Sequence, residues 1–250
     1  MDVVMARDLP RLAASAPSGK HAMRALLVHP KSPYRLPVVA VDALVAGAQI
    51  IDWRAGRRLL DPGEPSDFVH FLVNGTMRIE VHADRGRWSI AAFVPPGRFV
   101  GSVLPLPAGG CRFGAITHTS ALIATVSRAT VRHVVEMLPF DRAVAFMAHD
   151  TDELRRLLAD RCSLAWAPLR RRLAHALRRL ARDFGEPSGE WTLIDLQLTQ
   201  ADLARLIGAS RANVNRGLGY LQRTGEIDIR SRRILIRAKS AGDPGRGAAS

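Results

Sequence analysis

The chain contains little cysteine and no long apolar run. Its two cysteines, Cys111 and Cys162, form no Cys-x-x-Cys pair. Two thiols are too few for a disulfide framework or for a cluster held by four thiolates. The early apolar run at residues 25–28 is shorter than a signal peptide requires, and the stretch 38–51 is interrupted by Asp42 and is too short to span a bilayer. We therefore expect a cytoplasmic protein without a membrane-spanning segment.

Acidic residues are scarce relative to basic ones. The chain has 23 Asp and Glu against 36 Lys and Arg, which gives a formal net charge of +13. Such an excess favours a polyanionic partner, either nucleic acid or an anionic membrane surface. Charge alone does not distinguish these partners, and a solvated basic surface has the same composition. A length of 250 residues with 47% hydrophobic residues suits two modest domains better than one.

The residue types of catalysis and metal binding do not occur in recognisable patterns. No acid, base or nucleophile constellation stands at a typical spacing, so we expect no enzymatic activity. The eight histidines are scattered, and we expect no metal and no cofactor. Cys111 stands beside the cation of Arg112, which allows two interpretations, a redox-active thiol or an inert cysteine.

The first half of the chain changes pattern near residue 38. Residues 1–37 mix Pro, Ser, Gly and basic residues without a sustained period, which predicts a flexible N-terminal extension. Residues 38–138 consist of short apolar runs separated by glycines, a pattern typical of a compact β-barrel or β-roll. The clearest strands are predicted at residues 68–73, 77–81 and 89–94.

A long helix is predicted over residues 139–167. Its residues at alternating steps of four and three form a heptad seam, which indicates helix pairing and hence a dimerisation helix. Packing of this helix on its own domain is the alternative, because Thr151 and Arg161 weaken the apolar seam. Pro168 is predicted to be a hinge. The predicted dimer contacts are Val144, Met147, Thr151, Leu154, Leu158 and Arg161.

The most informative stretch is residues 198–211. Thr199 and Asp202 have the spacing of a capping box, which predicts the start of a helix. Gly208 predicts a tight turn, and Ser210 is a suitable N-cap for a second helix with an apolar face. This is the spacing of a helix-turn-helix. We therefore assign residues 168–238 to a winged helix-turn-helix domain and residues 239–250 to a disordered tail.

Polar and basic residues occupy the outer side of the second helix and a hairpin that follows it. Arginine can donate two hydrogen bonds to guanine and asparagine can bridge adenine. A basic hairpin tip and the basic helix at residues 169–182 suit phosphate contacts. An ordinary helix pair with solvated arginines is the alternative. The predicted DNA-binding residues are Thr199, Gln200, Ser210, Arg211, Asn213, Asn215, Arg216, Arg232 and Arg233.

With these motifs the sequence resembles the CRP/FNR superfamily of transcription regulators over residues 38–237. Glycine-marked segments at residues 63–67, 74–75 and 96–101 resemble the turns of the family's β-roll. The resemblance implies an α+β fold. It consists of a cyclic-nucleotide-binding-like β-roll, a long dimerisation helix and a C-terminal winged helix-turn-helix.

The resemblance also implies the place of an effector pocket. Gly101 and Arg112 match the glycine and the phosphate-binding arginine of the family, and Leu157 and Leu158 stand where polar base contacts would fall. Two further pocket positions depart from the family pattern, since the ribose-binding glutamate is replaced by Ser102 and a small hydroxyl residue is replaced by Phe113. Arg112 is either a ligand contact or a structural arginine. We therefore expect DNA binding that does not depend on cyclic AMP.

The sequence thus predicts a homodimeric, sequence-specific regulator that binds double-stranded DNA. RNA polymerase is a candidate partner, and the small-molecule effector is unidentified. A second hypothesis is a ligand-sensing module that acts through protein partners and uses the helix-turn-helix only as a scaffold. Salt-dependent binding to duplex DNA distinguishes the two hypotheses.

Overall fold

The computed structural model describes residues 18–82, 86–101, 113–164 and 166–237. The chain divides into two compact units, residues 1–167 and residues 168–250. The predicted tail at residues 239–250 lies outside the described residues. Among the described residues, none of the helices combines the length and the apolar character that crossing a membrane requires.

The described part of the N-terminal unit begins with two helices, α1 (Gly19–Val28) and α2 (Val38–Ala46). The side-chain hydroxyl of Ser18 caps α1 by accepting a hydrogen bond from the amide of His21. The prediction of a flexible extension is therefore wrong for residues 18–37. Basic residues are interspersed among the apolar residues of α1, which makes its apolar face hard to recognise in the sequence. In the structure this face forms part of the core through Ala22, Met23, Leu26 and Leu27.

Two four-stranded antiparallel sheets follow, with the strand orders β1-β8-β3-β6 and β2-β7-β4-β5. The predicted strands at residues 68–73, 77–81 and 89–94 are confirmed as β3, β4 and β5. Residues 38–46, the start of the predicted β-roll, are instead helical. The strands are β1 (Gln49–Trp53), β2 (Arg58–Leu60), β3 (Phe68–Asn74), β4 (Met77–His82), β5 (Trp88–Val94), β6 (Arg98–Val100), β7 (Gly114–Thr117) and β8 (Ala121–Ser127).

Strand β3 contributes apolar side chains to two core clusters of the N-terminal unit. Val69 and Phe71 belong to the core cluster that includes the helices, whereas Leu72 belongs to a second cluster with residues of both sheets. Successive side chains of a strand point to opposite faces, so both faces of β3 are covered. A strand buried on both sides reads as an apolar run, and residues 68–73 form such a run apart from His70.

Two further helices end this unit, α3 (Arg128–Met137) and α4 (Phe140–Leu164). Near the start of α4, Phe146 is buried in the core, and the partly buried Met147 packs against that core. Val144 and Leu158 are 43% and 55% exposed. The side chains of Thr151, Leu154, Leu157 and Arg161 lie outside the described part of the chain.

Over residues 168–237, the C-terminal unit combines three helices with one four-stranded antiparallel sheet of order β11-β12-β10-β9. No strand is predicted between the basic helix at residues 169–182 and residue 198, whereas the structure forms a hairpin there with Gly189 at a φ of 63°. The elements are α5 (Leu169–Phe184), β9 (Gly185–Ser188), β10 (Trp191–Ile194), α6 (Gln200–Ile207), α7 (Arg211–Arg223), β11 (Ile227–Arg230) and β12 (Arg233–Arg237).

Candidate nucleic-acid interface

Helix α6 begins with the predicted capping box. The hydroxyl of Thr199 accepts from the backbone N–H of Asp202 at 3.0 Å, and the carboxylate of Asp202 accepts from the backbone N–H of Thr199 at 3.0 Å. These bonds satisfy two amides that a helix start leaves without a partner. At the other end Gly208 is left-handed, with φ 64° and ψ 50°, which glycine adopts without a steric penalty. Local chemistry therefore defines both ends of α6.

Helix α7 follows after this turn. The hydroxyl of Ser210 accepts a hydrogen bond from the backbone N–H of Asn213 at 3.2 Å and caps the helix. Val214, Leu218 and Leu221 are buried and form the inner side of α7. Two capped helices joined by a left-handed glycine form the helix-turn-helix that the sequence predicts.

The opposite side of α7 is exposed at Arg211, Ala212, Asn215 and Arg216. Residues four apart lie side by side on a helix, so Arg211 adjoins Asn215 and Ala212 adjoins Arg216. This four-residue patch, the reading face, carries two guanidinium groups, one carboxamide and one methyl group. Ala212 was not singled out from the sequence, although its place between two polar positions is a usable signal.

Two hydrogen-bonded pairs organise the polar side chains around the reading face. The guanidinium of Arg216 donates to Oδ1 of Asn213, and Asn213 itself is half-buried. The side-chain amide Nε2 of Gln200, the first residue of α6, donates to Oδ1 of Asn215 at 3.0 Å. Asn213 and Gln200, both predicted to bind DNA, therefore contact other side chains of the motif.

A hairpin with a two-residue turn connects β11 to β12 and forms the wing. Arg230 pairs with Arg233 across the strands, and the turn residues Ser231 and Arg232 have positive φ angles of 48° and 65°. Two consecutive left-handed residues give the turn a twist that matches paired strands. Arg232 forms no ion pair or hydrogen bond with other described residues. Arg233 lies 3.3 Å from the carboxylate of Asp195, an exposed ion pair that was not expected from the sequence.

Several arginines of α5 contact other parts of their own unit. Arg170 stacks over the ring of Tyr220, 4.2 Å from its centroid. Arg178 forms an exposed ion pair with Glu226 at 3.0 Å. Arg172 donates to the carbonyl oxygen of Ile207, the last residue of α6, at 3.0 Å. These contacts hold α5 to the rest of the unit, in addition to any role of the basic helix toward phosphates.

The predicted effector pocket belongs to the N-terminal unit. Gly101 has a φ of 104° and lies next to strand β3, while Phe113 is half-buried against the cluster between the sheets. Ser102 and Arg112 lie outside the described residues. His70 was not singled out from the sequence; its ring nitrogen Nδ1 lies 3.1 Å from the hydroxyl of Thr125. Burial lowers the pKa of His70 to about 4, because the charged imidazolium loses its hydration.

Comparison with known proteins supports the assignment of a helix-turn-helix to the C-terminal unit. Residues 171–241 match the Crp-like helix-turn-helix domain. A CRP-like cAMP-activated global transcriptional regulator of Mycobacterium tuberculosis is 27% identical over 199 residues, which cover 79% of this chain and 88% of that protein. The global nitrogen regulator of Synechocystis is 28% identical over 183 residues, covering 70% of this chain and 78% of that protein.

Solved structures resemble the fold. The c-di-GMP responsive global regulator CLP of Xanthomonas campestris has a TM-score of 0.66 at 18% identity, covering 81% of this chain and 100% of that one. FixK2 of Bradyrhizobium japonicum has a TM-score of 0.65 at 22% identity, covering 76% of this chain and 93% of that one. At these identities the likeness concerns the fold.

A β-roll and a winged helix-turn-helix in one chain define a DNA-binding transcription regulator. The C-terminal motif and the relatives specify which kind. Its C-terminal motif is a Crp-like helix-turn-helix, and the chain as a whole is similar to CRP/FNR-type transcription regulators.

Proposed function

We propose that this regulator binds DNA as a homodimer and reads sequence through Arg211, Asn215 and Arg216 of α7. The observation that carries the proposal is the reading face, where these three side chains are exposed on the outer side of a capped helix. An α-helix fits the major groove of B-DNA, where guanidinium groups pair with guanine and carboxamides with adenine. Ala212 adds a methyl group suited to thymine.

The wing and the basic helix α5 contribute attraction that does not depend on sequence. Arg232 stands at the tip of the wing in the turn between β11 and β12, where its guanidinium can reach a phosphate. Arg233 can do so only in competition with Asp195. Each phosphate contact of this kind makes binding weaker as salt rises, because bound cations are released from the DNA.

The dimer is proposed to form through α4 of two copies. Val144 and Leu158 leave apolar surface exposed on this helix of 25 residues. Their spacing of fourteen residues equals two heptads, the period of a paired helical seam. Two linked recognition helices can then occupy half-sites about one turn of DNA apart, roughly 34 Å.

DNA binding is proposed to be independent of cyclic AMP and cyclic GMP. A bound cyclic nucleotide buries a phosphate and ribose hydroxyls, which need charged or polar partners. In the sequence Ser102 replaces the glutamate that holds the ribose in the family. The ring of Phe113 packs with apolar residues, which leaves no hydroxyl at that position for the phosphate.

Selection from random duplexes with the full-length protein tests the reading of DNA. We expect one preferred, palindromic site whose affinity falls steeply with salt, and the same site with or without cyclic AMP. Arg211→Ala and Arg216→Ala should each relax one base position, by about 1–3 kcal/mol. Arg232→Ala should weaken all duplexes alike. Absence of any preferred duplex, or an absolute need for cyclic AMP, would contradict the proposal.

Sedimentation tests the dimer. At micromolar concentration the wild-type protein should be dimeric, and Leu154→Glu combined with Leu158→Glu should give a folded monomer that binds the palindromic site poorly. Arg155→Glu, an exposed position on the same helix, is the control for the added charge. A monomeric wild-type protein would rule out the proposed seam.

A further inference from the structure

We propose that Gln200 is a positioning residue that sets the orientation of the Asn215 carboxamide for reading adenine and rejecting guanine. The inference rests on the proposed function, in which α7 reads bases. Asn215 belongs to the reading face, whereas Gln200 lies on the other helix of the motif. The hydrogen bond between them joins residues that are 15 apart in the chain.

The geometry around Gln200 is well defined. Gln200 is the first residue of α6, directly after the N-cap Thr199, so the capping box with Asp202 holds its backbone in place. The Gln200 side chain is half-buried, while Asn215 is exposed. Nε2 of Gln200 donates to Oδ1 of Asn215 at 3.0 Å, a good length for a hydrogen bond between amides. The amide donor of Gln200 thus lies against the oxygen side of the exposed Asn215 carboxamide.

The chemistry of an asparagine makes such a donor consequential. The carboxamide has one face that accepts and one that donates, and its terminal torsion has two nearly equivalent orientations. Adenine offers a donor at N6 and an acceptor at N7, whereas guanine offers acceptors at both O6 and N7. An Asn215 that turns freely can therefore satisfy part of either purine edge.

In the observed arrangement Gln200 turns its Nε2 toward Asn215, and this donor bonds only the orientation in which Oδ1 of Asn215 faces it. An amide oxygen has two lone pairs, so Oδ1 can still accept from N6 of adenine while Nδ2 donates to N7. Guanine would then place O6 against the Asn215 oxygen, two acceptors without a proton between them. The pair thereby converts a tolerant reader into one that prefers adenine.

A phosphate contact is the other role available to Gln200, since the N-terminus of α6 is a favourable place for an anion. The two roles differ in what they affect. A lost phosphate contact weakens every duplex and reduces the dependence on salt. A lost positioning contact changes discrimination at the one base pair that Asn215 reads and leaves the salt dependence unchanged.

The test compares the full-length wild type with Gln200→Ala, Gln200→Glu and Asn215→Ala. Binding is measured on the selected duplex and on variants with each base pair of the half-site replaced. The position where Asn215→Ala abolishes the adenine preference identifies the base pair that Asn215 reads. Thermal unfolding verifies that each variant is folded, and both replacements of Gln200 are good helix formers.

We expect Gln200→Ala to lower the adenine-over-guanine ratio at that position by about two- to tenfold, the value of one net hydrogen bond. Gln200→Glu should lower it further, because a carboxylate accepts and draws Nδ2 of Asn215 toward itself. The added carboxylate repels DNA equally in the adenine and guanine duplexes, so this repulsion cancels in the adenine-over-guanine ratio. In the Asn215→Ala background, Gln200→Ala should have no further effect on the ratio.

Three results would overturn the inference. The first is an unchanged adenine-over-guanine ratio in both Gln200 variants. The second is an equal loss of affinity for all duplexes together with a reduced salt slope. The third is an effect of Gln200→Ala on the ratio that is the same with and without Asn215. The first two leave the proposed function intact, since the wild type would still select a site. A wild type that selects no site removes the proposed function and this inference together.

Discussion

Gly217 of α7 lies directly against Leu173 of α5. A Cβ atom added to Gly217 would come within 2.8 Å of Cδ2 of Leu173, closer than real Cβ contacts allow. Both residues are buried. The missing side chain thus lets the recognition helix sit close to the first helix of the unit. Gly219, two residues later, has only the flexible end of Arg223 near its own Cβ direction, at 3.6 Å.

Alanine at these two glycines should have opposite effects on stability. Gly217→Ala should lower the free energy of unfolding by about 1–3 kcal/mol, as expected for overpacking. Gly219→Ala should raise it by about 0.5–1 kcal/mol, because alanine is the better helix former and space is available. Calorimetry of the full-length protein measures both, and Gly219→Ala controls for helix propensity. Two changes of the same sign would contradict the close packing of α7 on α5.

The wing turn should become more stable with glycine at Ser231. Its φ of 48° is a left-handed conformation that costs an L-residue about 1–2 kcal/mol. Glycine carries no such penalty, although it is more flexible when unfolded. Ser231→Gly should therefore raise the free energy of unfolding by about 0.5–1 kcal/mol in denaturant titrations.

Ser188→Gly is the matched control for that experiment. Ser188 is exposed in β9 of the same unit, and its φ is not positive. The same substitution there relieves no strain and should lower stability, since glycine weakens a strand. Equal effects at Ser188 and Ser231 would show that the turn stores no strain.

Neutralising Asp195 should strengthen DNA binding. Asp195→Asn removes a negative charge 3.3 Å from the Arg233 guanidinium and leaves that cation available to a phosphate. We expect affinity to rise about two- to fivefold on all duplexes, with a steeper salt dependence, because exposed ion pairs are weak. Fluorescence anisotropy at several salt concentrations measures the change.

Glu190→Gln provides the control with the same change of charge. Glu190 pairs with Arg237 at 3.3 Å, at the end of β12 opposite to the wing turn. We expect its effect on DNA affinity to be smaller than that of Asp195→Asn. An equal gain from both variants would attribute the effect to net charge and not to Arg233.

His70 should make the N-terminal unit sensitive to acid. Its pKa is about 4 in the folded chain against an ordinary value of 6.5, because the ring is buried. Between these values the unfolded chain binds more protons, so stability is complete above pH 6.5 and falls as the pH drops toward 4. The loss by pH 4 is about 3 kcal/mol.

His70→Gln should remove this part of the pH dependence in denaturant unfolding between pH 4 and 7.5. Glutamine stays neutral and can still bond the hydroxyl of Thr125. His133→Gln, at an exposed position of α3, is the control and should retain the wild-type dependence. An unchanged pH profile in His70→Gln would mean that His70 does not titrate as its burial implies.

Features encoded by neighbouring residues could be predicted from the sequence. The capping box of Thr199 and Asp202, the left-handed Gly208 and the N-cap Ser210 act within a few positions of one another, so the helix-turn-helix follows from local chemistry. The predicted strands β3, β4 and β5 were confirmed for the same reason, since an apolar strand flanked by turn residues is a local pattern.

Features that depend on distant residues could not be predicted. The apolar face of α1 is buried only because it packs with strands formed much later in the chain. In the sequence, the basic residues between its apolar positions resemble those of a flexible segment. Hairpin β9–β10 has a weak pattern of its own and is paired with β12. In both cases tertiary packing, and not local secondary-structure propensity, determines the structure.

The sequence by itself determined the class of protein and the positions of its recognition helix and wing. Tertiary structure decided which polar residues of that motif face outward and which hold another side chain. Gln200 and Asn215 are 15 residues apart, and Asp195 and Arg233 are still further apart. Such pairs form only when separate elements pack together, because short-range propensity carries no information about which side chains a fold brings within hydrogen-bond distance.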